Sequence, residues 1–281
     1  MSPVKAIKTF RDLLAFLTII PMGGKEDFVL TSAENMYLFP LIGGFIGTLA
    51  AAYFVGSSFI IQFILNLTNS IVALPSNFLT IIASAAMTIA FLLVLTGLQH
   101  FDGLIDLGNA IGLRNEHDRK MAAHAWTVTY SGAVFALFIE FVAFIGLFLL
   151  VPSFNNPLMV FGAIIAAEIS AKLAMVTIVW IGKPTHKGLG SIFLKKAKKK
   201  LNIVAYVVSA LIVFILFSLA RDSVFGIIGV AVVLISIPVA FIMDKVAKKV
   251  FGGVSGDTIG ATNEVARAVT LVSLVGALMI I

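Results

Sequence analysis

Seven apolar runs, each about as long as a lipid bilayer is thick, leave this chain few ways to fold. They are Leu38–Asn66, Phe78–Leu98, Ser131–Val151, Leu158–Ile181, Leu201–Ala220, Val224–Met243 and Val265–Ile281. A helix crosses the hydrocarbon core with roughly 17 to 25 predominantly apolar residues. Inside lipid every backbone polar group must be satisfied within the protein, so such runs predict α-helices rather than open sheets. With 60% apolar and 12% charged residues, the chain has too little polar sequence to clothe a soluble globule. The expectation is an all-α, polytopic transmembrane helix bundle of about seven spans. We read it as one domain over residues 1–281, a polar segment 1–37 followed by the bundle 38–281. Cysteine is absent, which excludes disulfides and thiolate metal sites.

The N-terminal segment has its own pattern. Ile7, Phe10, Leu14, Leu17 and Ile20 fall on one helical face, Lys5, Lys8, Arg11 and Asp12 lie opposite, and Pro21 ends the stretch. It is too short to span, which predicts an amphipathic helix at the membrane interface. Further basic residues crowd alternate loops: Arg114, Arg119 and Lys120, then Lys183, Lys187 and Lys195–Lys200, then Lys245, Lys248 and Lys249. The intervening loops hold only Arg221. This asymmetry places the N-terminus and the basic loops on the cytoplasmic side of a cell membrane. The net charge of +6 is accounted for by anionic lipid and an anionic substrate, without nucleic acid. An oligomer is compatible with the chain.

Chemistry is concentrated in those basic loops. Asp102 and Asp106 are four apart, so both carboxylates share a helix face directly after an apolar run. Asn109 extends the stripe. Two carboxylates and an amide oxygen suit Mg²⁺ that also holds substrate phosphates. Gly182–Gly190 joins two spans, and its glycines (Gly188 and Gly190) with Lys183, His186 and Lys187 suit a phosphate contact. Gly252–Glu264 opens the last span with four glycines. There Gly256 marks a helix start suited to anions, and Asp257 and Glu264, seven apart, can wind onto one side. Asp257 or Glu264 would orient an attacking hydroxyl. Deeper in the spans, Glu168 and Lys172 can pair at i and i+4, while Glu140 has no local partner. The residues alone point to a membrane phosphotransferase with a cytoplasmic site.

Five segments in order resemble the cobalamin synthase family, the adenosylcobinamide-GDP ribazoletransferases. Phe16-Leu17-Thr18-Ile19-Ile20-Pro21 is similar to F-L-T-R-x-P, with Ile19 in the arginine position, and Phe39-Pro40-Leu41-Ile42-Gly43 to F-P-L-x-G. His100–Asp106 resembles H-x-D-G-L-x-D, and Lys187–Gly190 with Phe193 resembles E-G-L-G-x-x-F. Gly252–Ala261 with Glu264 resembles G-G-x-T-G-D-T-L-G-A-x-x-E. The resemblance implies a Mg²⁺-dependent late step of cobalamin biosynthesis. In it, α-ribazole or its 5′-phosphate is joined to adenosylcobinamide-GDP and GMP leaves. Two positions depart from the pattern. Asn109 and Ala125 stand where the family carries aspartates, which implies an impaired enzyme or an inactive corrinoid-binding homologue. A transporter is the reading from another class, resting on Glu140, Glu168 and Lys172. A CDP-alcohol type phosphotransferase is the nearer alternative, but its pattern fails after Asp102-Gly103.

Overall fold

A computed structural model describes residues 3–22, 28–69, 72–113, 115, 118–119, 121, 127–153 and 156–280. Among them there is no strand, and the chain is an all-α bundle. Two short helices, α1 (Pro3–Leu17) and α2 (Phe28–Glu34), precede the long α3 (Phe39–Asn69) and α4 (Ser76–Leu95). Next come α5 (Gln99–Ile111), α6 (Tyr130–Ser153), α7 (Pro157–Ile181) and the short α8 (Leu189–Lys196). The chain closes with α9 (Asn202–Ala220), α10 (Ser223–Val233), α11 (Ser236–Phe251) and α12 (Gly256–Ile280). Six helical stretches are long and apolar enough to cross a membrane, with α10 and α11 forming one of them. The seventh expected span falls within α12, which is not among the six and carries Asp257, Glu264 and Arg267 in its first half.

Helix α7 is the axis of the bundle. Nearly every residue from Met159 to Val179 is buried. It lies tightly against α3 because a Cβ on Gly43 would come within 2.6 Å of the Glu168 carbonyl oxygen. One on Gly47 would come within 2.7 Å of the Ile165 Cα. Small residues four apart let two helix backbones touch, where association in lipid rests on packing rather than on the hydrophobic effect. Asn156 fixes the start of α7 twice over. Its side-chain oxygen accepts from the Leu158 amide at 3.0 Å, and its nitrogen donates to the Ala220 carbonyl at 2.7 Å.

Two local features differ from the expectation. The run Val224–Met243 is not one straight helix but breaks at Leu234–Ile235, four residues before Pro238. The proline ring cannot sit over the carbonyl one turn back, so Ile235 and Ile237 donate instead to Val232 and Leu234, three residues behind. Helix α1 is amphipathic as expected, but only its C-terminal apolar residues are covered by protein. Leu13, Leu14 and Leu17 are buried, whereas Val4, Ile7 and Phe10 point outward. Asp12, expected on the polar side, is buried and accepts from Arg11 at 2.9 Å. The reason is α2, which packs over the C-terminal half of α1 and takes the backbone oxygen of Asp12 as an acceptor for Ser32.

Candidate active site

The site begins with a sharp corner. After α4 the chain passes through two left-handed residues, Gly97 at φ +66° and Leu98 at φ +60°, and α5 starts at Gln99. The Leu98 amide closes back on the Leu93 carbonyl at 2.9 Å, a Schellman-type ending that satisfies the last carbonyls of α4. Helix α5 therefore leaves the line of the span and carries His100, Asp102 and Asp106 to the end of the bundle where the glycine-rich loops gather.

Helix α12 meets α5 there. Its first turn is closed by a reciprocal pair: the Thr258 amide donates to Ser255 Oγ at 3.2 Å, and the Ser255 amide donates to Thr258 Oγ1 at 2.8 Å. Ser255 is thus the cap, and Asp257 is released for other work. Its carboxylate accepts from Ser255 Oγ at 3.3 Å. The two helices touch through glycine. A Cβ on Gly103 would collide with the Asp257 carbonyl oxygen, and one on Gly260 would lie 3.1 Å from the Cα of His100.

The glycine-rich loops are joined to one another. Val254 donates to the Lys183 carbonyl at 2.8 Å, and Thr185 donates to the Val254 carbonyl at 3.2 Å, a short parallel bridge centred on Pro184 and Val254. Thr185 Oγ1 adds a bond to the Phe251 carbonyl. Gly190 rests on the Ser255–Gly256 backbone, where a Cβ would come within 2.5 Å of the Gly256 nitrogen. The ends of α7 and α11 and the starts of α8 and α12 are thereby tied into one platform.

Beside this platform lies a cavity of about 560 Å³. Its polar lining includes Gln99, His100, Asp102, His186, Gly256 and Asp257. Asp106 sits one turn further along α5, half-buried. Burial first, and then the charge of Asp257, raises the Asp102 carboxyl above its usual range. Burial, then Asp257 and then Asp102, pushes Asp106 up to about 7. Three carboxylates that feel one another in this way make a region of concentrated negative charge. Burial is also the main influence on His100, lowering it so that the imidazole is neutral at pH 7.

The other expected site residues are placed differently. Gly190 lines the cavity, but Lys183, Lys187 and Gly188 are exposed and do not. Lys183 contributes its carbonyl to the bridge, and Gly188 closes the first turn of α8 with Ser191 at 3.1 and 2.8 Å. Asn109 leaves the acidic stripe. It is buried, its oxygen accepts from the Thr129 amide at 3.1 Å and the Thr129 hydroxyl at 2.6 Å, and its nitrogen donates to the Thr127 carbonyl at 2.9 Å. With its oxygen engaged twice, Asn109 anchors the approach to α6 rather than joining Asp102 and Asp106. Arg114, Lys120 and Ala125 lie outside the described residues. Among the described residues, no three His, Cys, Asp or Glu side chains form a ready-made metal cluster.

Glu264 is the largest departure. It does not line the cavity but sits beneath it, 1% exposed. One oxygen accepts from Arg267 Nη1 and the other from Asn263 Nδ2 at 3.0 Å. His100 Nδ1 approaches it at 3.6 Å, beyond hydrogen-bond reach. Arg267 also donates through Nε to Glu168, and Lys172 donates to Glu168 at 3.3 Å and to Asn263 at 2.7 Å. The i and i+4 pair expected in α7 is therefore real, but it belongs to a larger buried network. Glu140 is buried beside this network, with its carboxyl group next to that of Glu264. Sequence reasoning missed Arg267 altogether. An arginine inside an apolar run, three residues after a glutamate, was the available signal.

Comparison with known proteins supplies the family. The sequence pattern of cobalamin-5-phosphate synthase matches residues 9–275. The adenosylcobinamide-GDP ribazoletransferase of Methanocella arvoryzae is 31% identical over 270 residues, covering 93% of this chain and 92% of its own. The protein of the same name from Methanococcoides burtonii is 28% identical over 278 residues, covering 94% and 90%. That from Pyrococcus abyssi is 28% identical over 264 residues, covering 94% and 96%. No solved structure matches. A match running from α1 almost to the end of α12, on a bundle whose five family-like segments include the linings of one cavity, leads to one conclusion: the chain belongs to the cobalamin-5-phosphate synthase family.

Proposed function

We propose that the chain is an adenosylcobinamide-GDP ribazoletransferase, joining α-ribazole or its 5′-phosphate to adenosylcobinamide-GDP with release of GMP. The observation that carries this reading is the single cavity in which Asp102 of α5 and Asp257 of α12 stand against the two bridged glycine-rich loops. In the reaction a ribazole oxygen forms a bond to the cobinamide-bound phosphorus, and the pyrophosphate bond to GMP breaks. Asp257, freed from capping by Ser255, accepts a hydrogen bond from the attacking hydroxyl and orients it. The start of α12 and the neighbouring His186 face the phosphate oxygens, where a helix N-terminus favours negative charge.

The donor set fits Mg²⁺. Asp102 and Asp106 would hold it, since a cation shared with substrate phosphates takes only one or two protein carboxylates. The mutual repulsion among Asp102, Asp106 and Asp257 is the charge such a cation balances. When bound, Mg²⁺ offsets the charge that develops on the departing phosphate. We further propose that the site opens to the cytoplasmic side of the plasma membrane. Lys183, Arg119 and Lys249 lie at the same end of the bundle, with Arg119 donating to the Lys249 carbonyl at 2.9 Å.

The test is reconstitution in liposomes with both substrates and Mg²⁺, following GMP and corrinoid product. Wild-type protein is expected to turn over only with Mg²⁺, and Asp102→Asn to lose at least about 100-fold. Product without added divalent cation would remove Mg²⁺ from the reading. No product from folded protein that binds both substrates would remove the activity.

A further inference from the structure

The cavity has a second wall unlike the first. Phe16, Phe28, Met36, Phe39, Met175 and Phe193 line it, contributed by α1, α2, the turn before α3, α3 itself, α7 and α8. The rings form a continuous group. Phe16 and Phe193 lie 5.0 Å apart between centroids, Phe39 is 6.1 Å from Phe16 and 6.0 Å from Phe193, and Phe28 is 6.3 Å from Phe16. Aromatic rings in a plain core interdigitate until no space remains. These gather from separate elements and still border open volume, even though Phe39 and Phe193 are buried.

We propose that this aromatic wall seats the benzimidazole base of α-ribazole, with the ribose directed toward Asp102 and Asp257. This rests on the transferase reading above. Three properties select that base. First, a volume of about 560 Å³ lies in the roughly 300 to 1,000 Å³ range of small-ligand sites and suits a nucleoside. A corrin macrocycle with its amide arms is far larger, so the corrinoid remains outside. Second, planar heteroaromatic bases stack on phenylalanine rings, and methionine sulfur adapts to their edges. Third, apart from two weakly accepting thioethers, these six side chains offer no hydrogen-bonding atom. Guanine, with donors and acceptors around its rim, would lose its partners in water and gain none from these six side chains. The dimethylated benzimidazole has a largely apolar rim with one ring-nitrogen acceptor, and loses far less. The two substrates are thereby sorted, the ribazole base against the rings and the guanine of the GDP portion elsewhere.

Equilibrium binding to the full-length protein in Mg²⁺-free liposomes tests this without turnover. Radiolabelled α-ribazole is the probe and guanosine the competitor, with Phe16→Leu and Phe28→Leu as variants on rings that are only partly buried. Loss of stacking on one ring is expected to weaken α-ribazole binding about 5- to 100-fold. Guanosine should compete roughly 100-fold less well than unlabelled α-ribazole. Thermal unfolding of each variant should match wild type. Guanosine competing as well as α-ribazole overturns the proposal, and so do variants that bind α-ribazole like wild type. Ring-dependent α-ribazole binding in a protein that fails the turnover assay would sink the transferase reading while leaving this subsite standing.

Discussion

Asn109 stands at a position where charge would be harmful. Its amide nitrogen serves the Thr127 carbonyl and its oxygen serves Thr129 twice, so the side chain needs both a donor and an acceptor. Asn109→Asp would set a buried carboxylate oxygen against the Thr127 carbonyl. We expect a loss of about 1–3 kcal/mol of stability, read as a lower midpoint of thermal unfolding in detergent, with the Mg²⁺ dependence of turnover unchanged. An increase in Mg²⁺ affinity instead would return Asn109 to the stripe. At this scale the sequence was informative about residue type and less so about direction. Asp102 and Asp257 were legible because acidic groups next to glycines at the end of an apolar run have few structural uses. That Glu264 faces inward was announced only by Arg267 three residues on, and the buried network they join was not legible, because Glu168 lies 99 positions from Arg267 and only packing brings them together.

Between α5 and α12 the deciding contact is glycine against backbone. Gly103→Ala would drive a methyl group into the Asp257 carbonyl and push the two helices apart. Shifts of about 1 Å in a catalytic arrangement cost on the order of 100-fold in rate. The variant should therefore fold, as judged by circular dichroism, yet lose about 100-fold in turnover. Gly276→Ala, on the same helix α12 with open space around it, should keep wild-type activity. The long helices followed directly from hydropathy, since only helices satisfy a single chain crossing lipid. The corner at Gly97–Leu98 did not, because Leu98 is a residue that rarely adopts φ +60° and nothing local announces it. The divided face of α1 was hidden for another reason. Its periodicity is that of an interfacial helix, and the cover supplied by α2 is a tertiary fact.

For the molecule as a whole, the buried ions beneath the cavity dominate. Arg267 is the only group that bonds to both Glu168 and Glu264 among the described residues. Arg267→Met would leave Glu264 without a cation while Glu168 kept Lys172, and breaking a buried pair costs about 3–5 kcal/mol. We expect poor folding or a sharply lowered unfolding midpoint, partly restored by Arg267→Lys. Glu140→Gln should leave turnover and stability near wild type, because a neutral amide beside Glu264 adds no like charge and can still donate a hydrogen bond to it. Loss of turnover in that variant would give Glu140 a role in the site, and substrate flux abolished in vesicles would revive a pathway through the membrane. The network also sets an order of events in the life of the chain. Synthesis proceeds from the N-terminus, and domains generally fold in that order. Helix α12, which emerges after the six spans, brings Asp257 to Asp102, Gly256 to Gly190, and Arg267 to Glu168. Until it arrives, Lys172 and Glu168 have only each other among these partners, and Gly190 lacks the Gly256 backbone it rests on. A nascent chain is therefore inert by construction: the first six spans can all be in place in the bilayer while the cavity still has no second carboxylate.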